Sequence, residues 1–170
     1  MENVGDVLTP QELKFNLIDK IESLSGDRIV ATKYVSLAEE YLADHFPTFP
    51  VMPGVLMLQS LVEAGAWLLR ISEDFSYSMV VLREARNVKY GTFLEPGKTL
   101  TVTAELIEQD ESSGTSMATL KGKGECDGTA TVSARLTLAR YNLRDRNPAL
   151  QCADERIVAH LRGQYAILRG

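Results

Sequence analysis

Residues 45–54 read HFPTFPVMPG, and residues 55–71 directly after them read VLMLQSLVEAGAWLLRI. The second stretch decides the fold. Its apolar side chains fall on every side of a helical wheel, which predicts a helix wrapped by other structure. Gln59, Ser60 and Glu63 interrupt it near the middle, which argues against a membrane span. Outward from it, Leu17 to Leu24 and Arg28 to Val35 are strand-like runs separated by a turn at Ser25-Gly26-Asp27. Four more follow: Ser78 to Tyr90, Thr99 to Gln109, Ser116 to Cys126 and Thr129 to Tyr141. Asp127-Gly128 joins the last two as a tight hairpin. Near the start, Thr9-Pro10-Gln11-Glu12 is a capping box with proline at the first helical position, which predicts a short helix. Near the end, Arg144 to Pro148 reads as a polar linker and Asp154 to Leu168 as a final helix. One apolar helix among long strands predicts an α+β domain, an antiparallel curved sheet around a central helix. A lone helix covered on all sides calls for a wide sheet, and joining the sheets of two copies would widen it.

The chain of 170 residues fits one domain with a sizeable core. A net charge of −5 with no basic block argues against a nucleic-acid partner. Two cysteines, Cys126 and Cys152, with no ligand-spaced Cys/His cluster, predict neither a metal site nor a disulfide framework. The N-terminal MENVGDVLTPQ lacks the basic start and apolar run of a secretory signal, so a cytoplasmic location is expected.

Gln59 and Glu63 are four residues apart and share a helix face. A carboxyl group in so apolar a helix must be paired, protonated or turned to a cavity. It is either a satisfied structural group or one poised for acid/base work. His45 precedes two X-Pro steps that stiffen its loop, so its imidazole can be fixed against the helix that follows. Gly54 permits close backbone approach at the helix start, where free N–H groups and the positive dipole end can polarise a carbonyl oxygen. One loop and two helical turns thus offer a base, an oxyanion site and a carboxyl group.

HFPTFPVMPGVLMLQSLVEAG resembles the signature of the FabA/FabZ-type β-hydroxyacyl-ACP dehydratases, approximately His-Phe-Pro-Gly-x-Pro-x-x-Pro-Gly-Val-Leu-x-x-Glu-x-x-x-Gln. FNLIDKIESLSGDRIVATKYVS is similar to the family's first hairpin, FLEPGKTLTVTAEL to its Pro-Gly-Asp turn and next strand, and GKGECDGTATVSARLTLA to its final hairpin. The resemblance covers about residues 13–140 and implies a hot-dog fold and an acyl-thioester ligand. It divides the chain into a hot-dog domain, residues 1–141, and a C-terminal extension, residues 142–170.

In that family the His-Phe-Pro histidine removes a proton at C2 of a (3R)-hydroxyacyl chain. An acid fourteen residues later assists loss of the C3 hydroxyl as water, and a backbone N–H near the Met-Pro-Gly glycine holds the thioester carbonyl. Carried over, the base is His45 and the glycine Gly54, with Phe46, Met52, Pro53 and Val55 lining the substrate site. The fourteenth residue is Gln59, and the family's usual Gln four residues on is Glu63, so the pair is exchanged. Gln59 can hydrogen-bond a hydroxyl but cannot give up a proton as a carboxylic acid does. Glu63 is therefore the candidate acid, through a water relay or a shifted helix.

The family often carries a basic pair before its Pro-Gly turn, where this chain has Gly91-Thr92, with Arg83, Arg86 and Lys89 close by; Thr48 replaces the glycine after His-Phe-Pro. The resemblance implies a dehydratase without cofactor, acting on acyl carrier protein or coenzyme A thioesters, as a homodimer or a trimer of dimers. Two other readings stand beside it. One is a hot-dog thioesterase in which Glu63 attacks or activates water; the other is a non-catalytic acyl-binding subunit.

Overall fold

The computed structural model describes residues 16–46, 48–112 and 115–170. The capping box at Thr9 to Glu12 lies outside the described residues. Strands β1 (Lys20–Ser25) and β2 (Arg28–Tyr34) form the first hairpin. A 3-10 turn at Glu40–Leu42 and a loop lead into helix α1 (Gly54–Ser72). Then come β3 (Met79–Tyr90), β4 (Thr99–Asp110), β5 (Ser116–Cys126), β6 (Thr129–Tyr141) and helix α2 (Gln151–Leu168). The six strands make one antiparallel sheet in the order β1-β2-β4-β5-β6-β3. This is the expected α+β architecture, with each strand within a few residues of its sequence-predicted span.

Strict alternation sets the sheet's two faces. In β6, Val132, Ala134, Leu136 and Leu138 point inward and are buried, while Arg135 points outward. Leu120 of β5 and Leu100, Val102 and Ala104 of β4 share the inner face. Against it lies α1, whose Leu61, Ala64, Leu68 and Leu69 are fully enclosed. Shortening one such leucine to alanine costs about 2–5 kcal/mol. The helix is long and apolar enough to cross a membrane by length and composition, but 56% of that window is buried inside this fold. The β5–β6 hairpin turns through Asp127 (φ 50°) and Gly128 (φ 77°), the two left-handed residues that a tight primed turn needs.

The extension after β6 folds back onto the far end of α1. Tyr165 of α2 stacks on Trp67 at 6.4 Å between ring centroids, and Leu161 and Leu168 are buried beside it. Asp154, also buried, accepts hydrogen bonds from the Ser78 hydroxyl and from the Leu143 and Arg144 amides at 2.9 and 3.0 Å. That carboxylate ties the start of α2 to the start of β3. The stretch from Arg144 to Pro148, read from sequence as a linker, contains parts of two 3-10 turns, Leu143–Asp145 and Pro148–Leu150.

Candidate active site

The loop before α1 is held at its helix end. Met52 N donates to Leu94 O at 2.9 Å, and the Val51 and Met52 side chains are buried. Met52 was expected to line the substrate site, yet its side chain is 1% exposed and belongs to the core. It therefore anchors the loop.

His45 Nδ1 lies 3.0 Å from Val51 O. A carbonyl oxygen only accepts, so Nδ1 must carry the proton. The neutral ring then keeps its lone pair on Nε2, the arrangement of a general base. Phe46, with φ 52° and half exposed, stands edge-on to the imidazole at 4.6 Å. Thus the loop fixes the tautomer of His45 as well as its position.

Pro53 caps α1, and Leu56 N and Met57 N make the first hydrogen bonds, both to Pro53 O. The Gly54 and Val55 amides come before those bonds, at the positive end of the helix, with no acidic residue in the first turn to neutralise it. Val55 is 66% exposed. A Cβ on Gly54 would sit 2.9 Å from the Tyr90 ring, so glycine is needed here for close packing at the end of β3. Sequence reading missed Tyr90 because nothing in a strand's pattern says which loop its last residue covers.

Gln59 and Glu63 do share a face of α1, but the contacts of Glu63 lead to the beginning of the chain. Glu63 Oε2 accepts from Leu17 N at 3.0 Å, and Gln59 hydrogen-bonds the same carboxyl group. Burial pushes this carboxyl up from its ordinary value, against the opposing pull of Leu17 N–H, Gln59, Arg70 and Lys33. Lys33, inward-facing and buried, is itself bridged to Glu39 at 2.7 Å and to Asp19 at 3.4 Å. Among the described residues no hydrogen bond joins His45 to Gln59 or Glu63. His45 thus stands on the loop that leads into α1, while Gln59 and Glu63 stand on the helix itself.

Around the site the surface is apolar and open. Phe93, in ring contact with Phe49 at 5.9 Å, is 69% exposed, and Phe46, Phe49, Val55 and Tyr90 are exposed too. β3 is an edge strand of the sheet. Exposed aromatics beside an unpaired strand edge have the character of an interaction surface.

The likeness to known proteins follows this geometry. The profile of the FabA-like domain matches residues 9–135. The 3-hydroxyacyl-[acyl-carrier-protein] dehydratase FabZ of Clostridium perfringens (strain SM101 / Type A) is 34% identical over 132 residues, covering 75% of this chain and 95% of the relative. The protein of the same name from Streptococcus equi subsp. zooepidemicus (strain MGCS10565) is 35% identical over 130 residues, covering 76% and 90%. Of solved structures, the dehydratase heterocomplex ApeI:P from Xenorhabdus doucetiae aligns with a TM-score of 0.65 at 19% identity, over 84% of this chain and 93% of that one. A hypothetical thioesterase with coenzyme A from Streptococcus pneumoniae TIGR4 aligns with a TM-score of 0.52 at 17% identity, over 71% and 84%. The fold is the hot-dog fold. The chain belongs to the FabA-like dehydratase family. Within that family it is FabZ-like.

The departures from the family pattern gain a partial physical account. A Cβ on Gly91 would lie 2.2 Å from Ala130 O, so no side chain fits at that position, basic or otherwise.

Proposed function

We propose that this chain is a hydro-lyase of fatty-acid-type synthesis that converts (3R)-hydroxyacyl thioesters to trans-2-enoyl thioesters. The observation that carries this reading is the His45 Nδ1–Val51 O hydrogen bond, which leaves Nε2 free as a base beside the N-terminus of α1. His45 Nε2 takes the C2 proton, and the electron pair left on C2 moves onto the thioester carbonyl. The oxyanion so formed is stabilised by the Gly54 and Val55 amides. The pair returns to form the C2–C3 double bond as the C3–O bond breaks. The departing hydroxyl takes a proton from Glu63, whose hold on a proton burial strengthens, across a water, and leaves as water. Gln59 orients the hydroxyl. Proton transfer from His45 to solvent and from solvent to Glu63 resets the site. Phe46, Pro53 and Val55 form the wall along the thioester.

The thioesterase reading is weaker, because attack on a thioester needs the free carboxylate and burial of Glu63 works against that form. The non-catalytic reading draws its support from Gln59 at the acid position alone.

Acyl carrier protein is the favoured carrier, after the names of the relatives, with coenzyme A as the alternative. Assembly begins as a homodimer through the β3 edge and the aromatic cluster, with a trimer of dimers as its extension. Residues 1–141 are the acyl-binding domain, and residues 142–170 buttress the far end of α1. The working compartment is the cytoplasm.

The test is His45→Ala. Turnover of a (3R)-hydroxyacyl thioester should fall by on the order of 10²–10⁴-fold while thermal stability stays unchanged. Activity equal to wild type rejects the assignment. A wild-type protein inert toward every acyl thioester favours the binding subunit.

A further inference from the structure

Lys33 puts a charge where the sheet otherwise buries apolar side chains. The inward positions of β2 are Ile29, Ala31 and Lys33, and all three are buried. Across the ladder Lys33 stands opposite Leu100, which is fully enclosed. Strand alternation calls for an aliphatic side chain at such a position. A buried ion pair gives little stability over a well-packed apolar side chain, because both charges lose their water. The fold alone therefore does not ask for a lysine here.

The Lys33 ammonium group joins two segments of the chain. Its Nζ donates to Glu39 Oε1 at 2.7 Å and to Asp19 Oδ1 at 3.4 Å. Each carboxylate belongs to a segment that leads to a residue of the candidate active site. Asp19 comes two residues after Leu17, whose amide donates to Glu63 Oε2 at 3.0 Å. That segment is fixed against β2, since Asp19 N donates to Thr32 O at 2.8 Å and Asp19 Oδ2 accepts from Tyr34 N at 2.7 Å. Glu39 opens the 3-10 turn Glu40–Leu42, its carbonyl accepting from Leu42 N at 3.1 Å. Leu42 is buried, and His45 follows three residues on.

The other charged groups of this cluster are Tyr41, Glu63 and Arg70. Burial, with Glu39 and Asp19 nearby, holds the Tyr41 phenol above its ordinary value. Arg70 and Lys33 both act on Glu63 in favour of its ionised form, against its burial. A lysine suits the centre of such a group. One nitrogen offers three donors and can bridge carboxylates that approach from different directions, while the methylene stem fills apolar space.

We infer that Lys33 is a positioning residue of the dehydration: one buried ammonium group ties the turn that delivers His45 and the segment that clamps Glu63 to the same strand. The inference rests on the dehydratase reading for the roles of His45 and Glu63. It adds the residue that holds both of them against β2.

The test uses the full chain and three variants. Lys33→Met keeps the side-chain length and removes the charge, while Glu39→Gln and Asp19→Asn each neutralise one arm. In Lys33→Met, kcat for a (3R)-hydroxyacyl thioester should fall by on the order of 10–10²-fold with KM little changed, because displaced groups slow the reaction more than they weaken binding. Two NMR signals report the geometry without turnover: the Nδ1–H resonance of His45 and the hydrogen-exchange rate of the Leu17 amide. Glu39→Gln should move the His45 resonance and leave Leu17 exchange as it is. Asp19→Asn should do the reverse, and Lys33→Met should change both. Asp154→Ala, which loosens α2, controls for general loss of stability and should change neither. Unchanged kcat in Lys33→Met overturns the inference, as does a fall in kcat without a change in both signals. Should Lys33→Met fail to fold, the two single-arm variants decide by the same signals, and silence in either one overturns it. If wild type turns over no acyl thioester, the dehydratase reading fails by itself. The signals then decide alone: a change of both in Lys33→Met supports the tie, and anything less overturns it.

Discussion

Glu63 on the central helix accepts a hydrogen bond from the backbone amide of Leu17 at 3.0 Å, so the residue in the position of the family's glutamine also clamps the strand-entry segment. A protonated carboxyl can do this with one oxygen and keep its proton on the other. The exchange of Gln59 and Glu63 keeps a carboxyl group on this face of the helix, one turn further along.

Dehydration should separate the two residues. Glu63→Gln should reduce (3R)-hydroxyacyl-thioester dehydration far more than Gln59→Ala does, by on the order of 10²-fold or more. Gln59→Glu, which restores an acid at the first position, should keep or raise the rate. Full activity in Glu63→Gln would end the exchanged-acid idea. Loss of free-thiol release alone, with dehydration intact, would identify a thioesterase.

The same carboxyl group predicts a pH dependence of stability. Burial holds Glu63 above its ordinary value of 4.5. A group whose folded pKa is raised contributes its full stability below the unfolded pKa and loses it as pH rises through the folded value. Glu63→Gln has no such loss. The difference in chemical-denaturation stability, variant minus wild type, should therefore grow in the variant's favour as pH rises above 4.5. A pH-independent difference would contradict it.

Asp154 behaves in the opposite sense. Burial raises its pKa, but hydrogen bonds from Ser78, Arg144 N and Leu143 N outweigh that and hold it below the ordinary value of 3.8. The stability it supplies is present above that value and fades as pH falls through the folded pKa. Asp154→Ala should cost about 1–3 kcal/mol by leaving buried donors unmet. Amide exchange should show α2 and its preceding turns loosening before the sheet. Loosening that begins in β4 or β5 would mean that Asp154 is not the tether.

At the mouth of the site, Gly54→Ala puts a methyl against the Tyr90 ring and should lower stability by about 1–3 kcal/mol. Tyr90→Ala in the same chain should recover most of that, because the crowding lies between these two groups. Failure of the double variant to recover would place the strain in the backbone.

Assembly is open to direct measurement. Light scattering at micromolar protein should show at least a dimer, and Phe93→Asp should shift the distribution toward monomer. A folded monomer of wild type would remove the role given to the β3 edge.

The apolar run 55–71, the alternating strands and the Asp127-Gly128 turn are local patterns, so the sequence alone determined the α+β architecture and every strand's approximate span. It also determined the motif residues His45 and Gly54, because proline stiffening and helix starts are set by a residue and its immediate neighbours. The tautomer of His45 was not legible, since it depends on where Val51 O falls after the loop folds. Nor was the burial of Met52, which a 10-residue motif presents as equal to its neighbours but which Leu94 pulls into the core. The partners of Glu63 come from Leu17, Lys33 and Arg70. Such arrangements join residues far apart along the chain, and only the register of the folded sheet and the seating of the helix on it decide which of them meet.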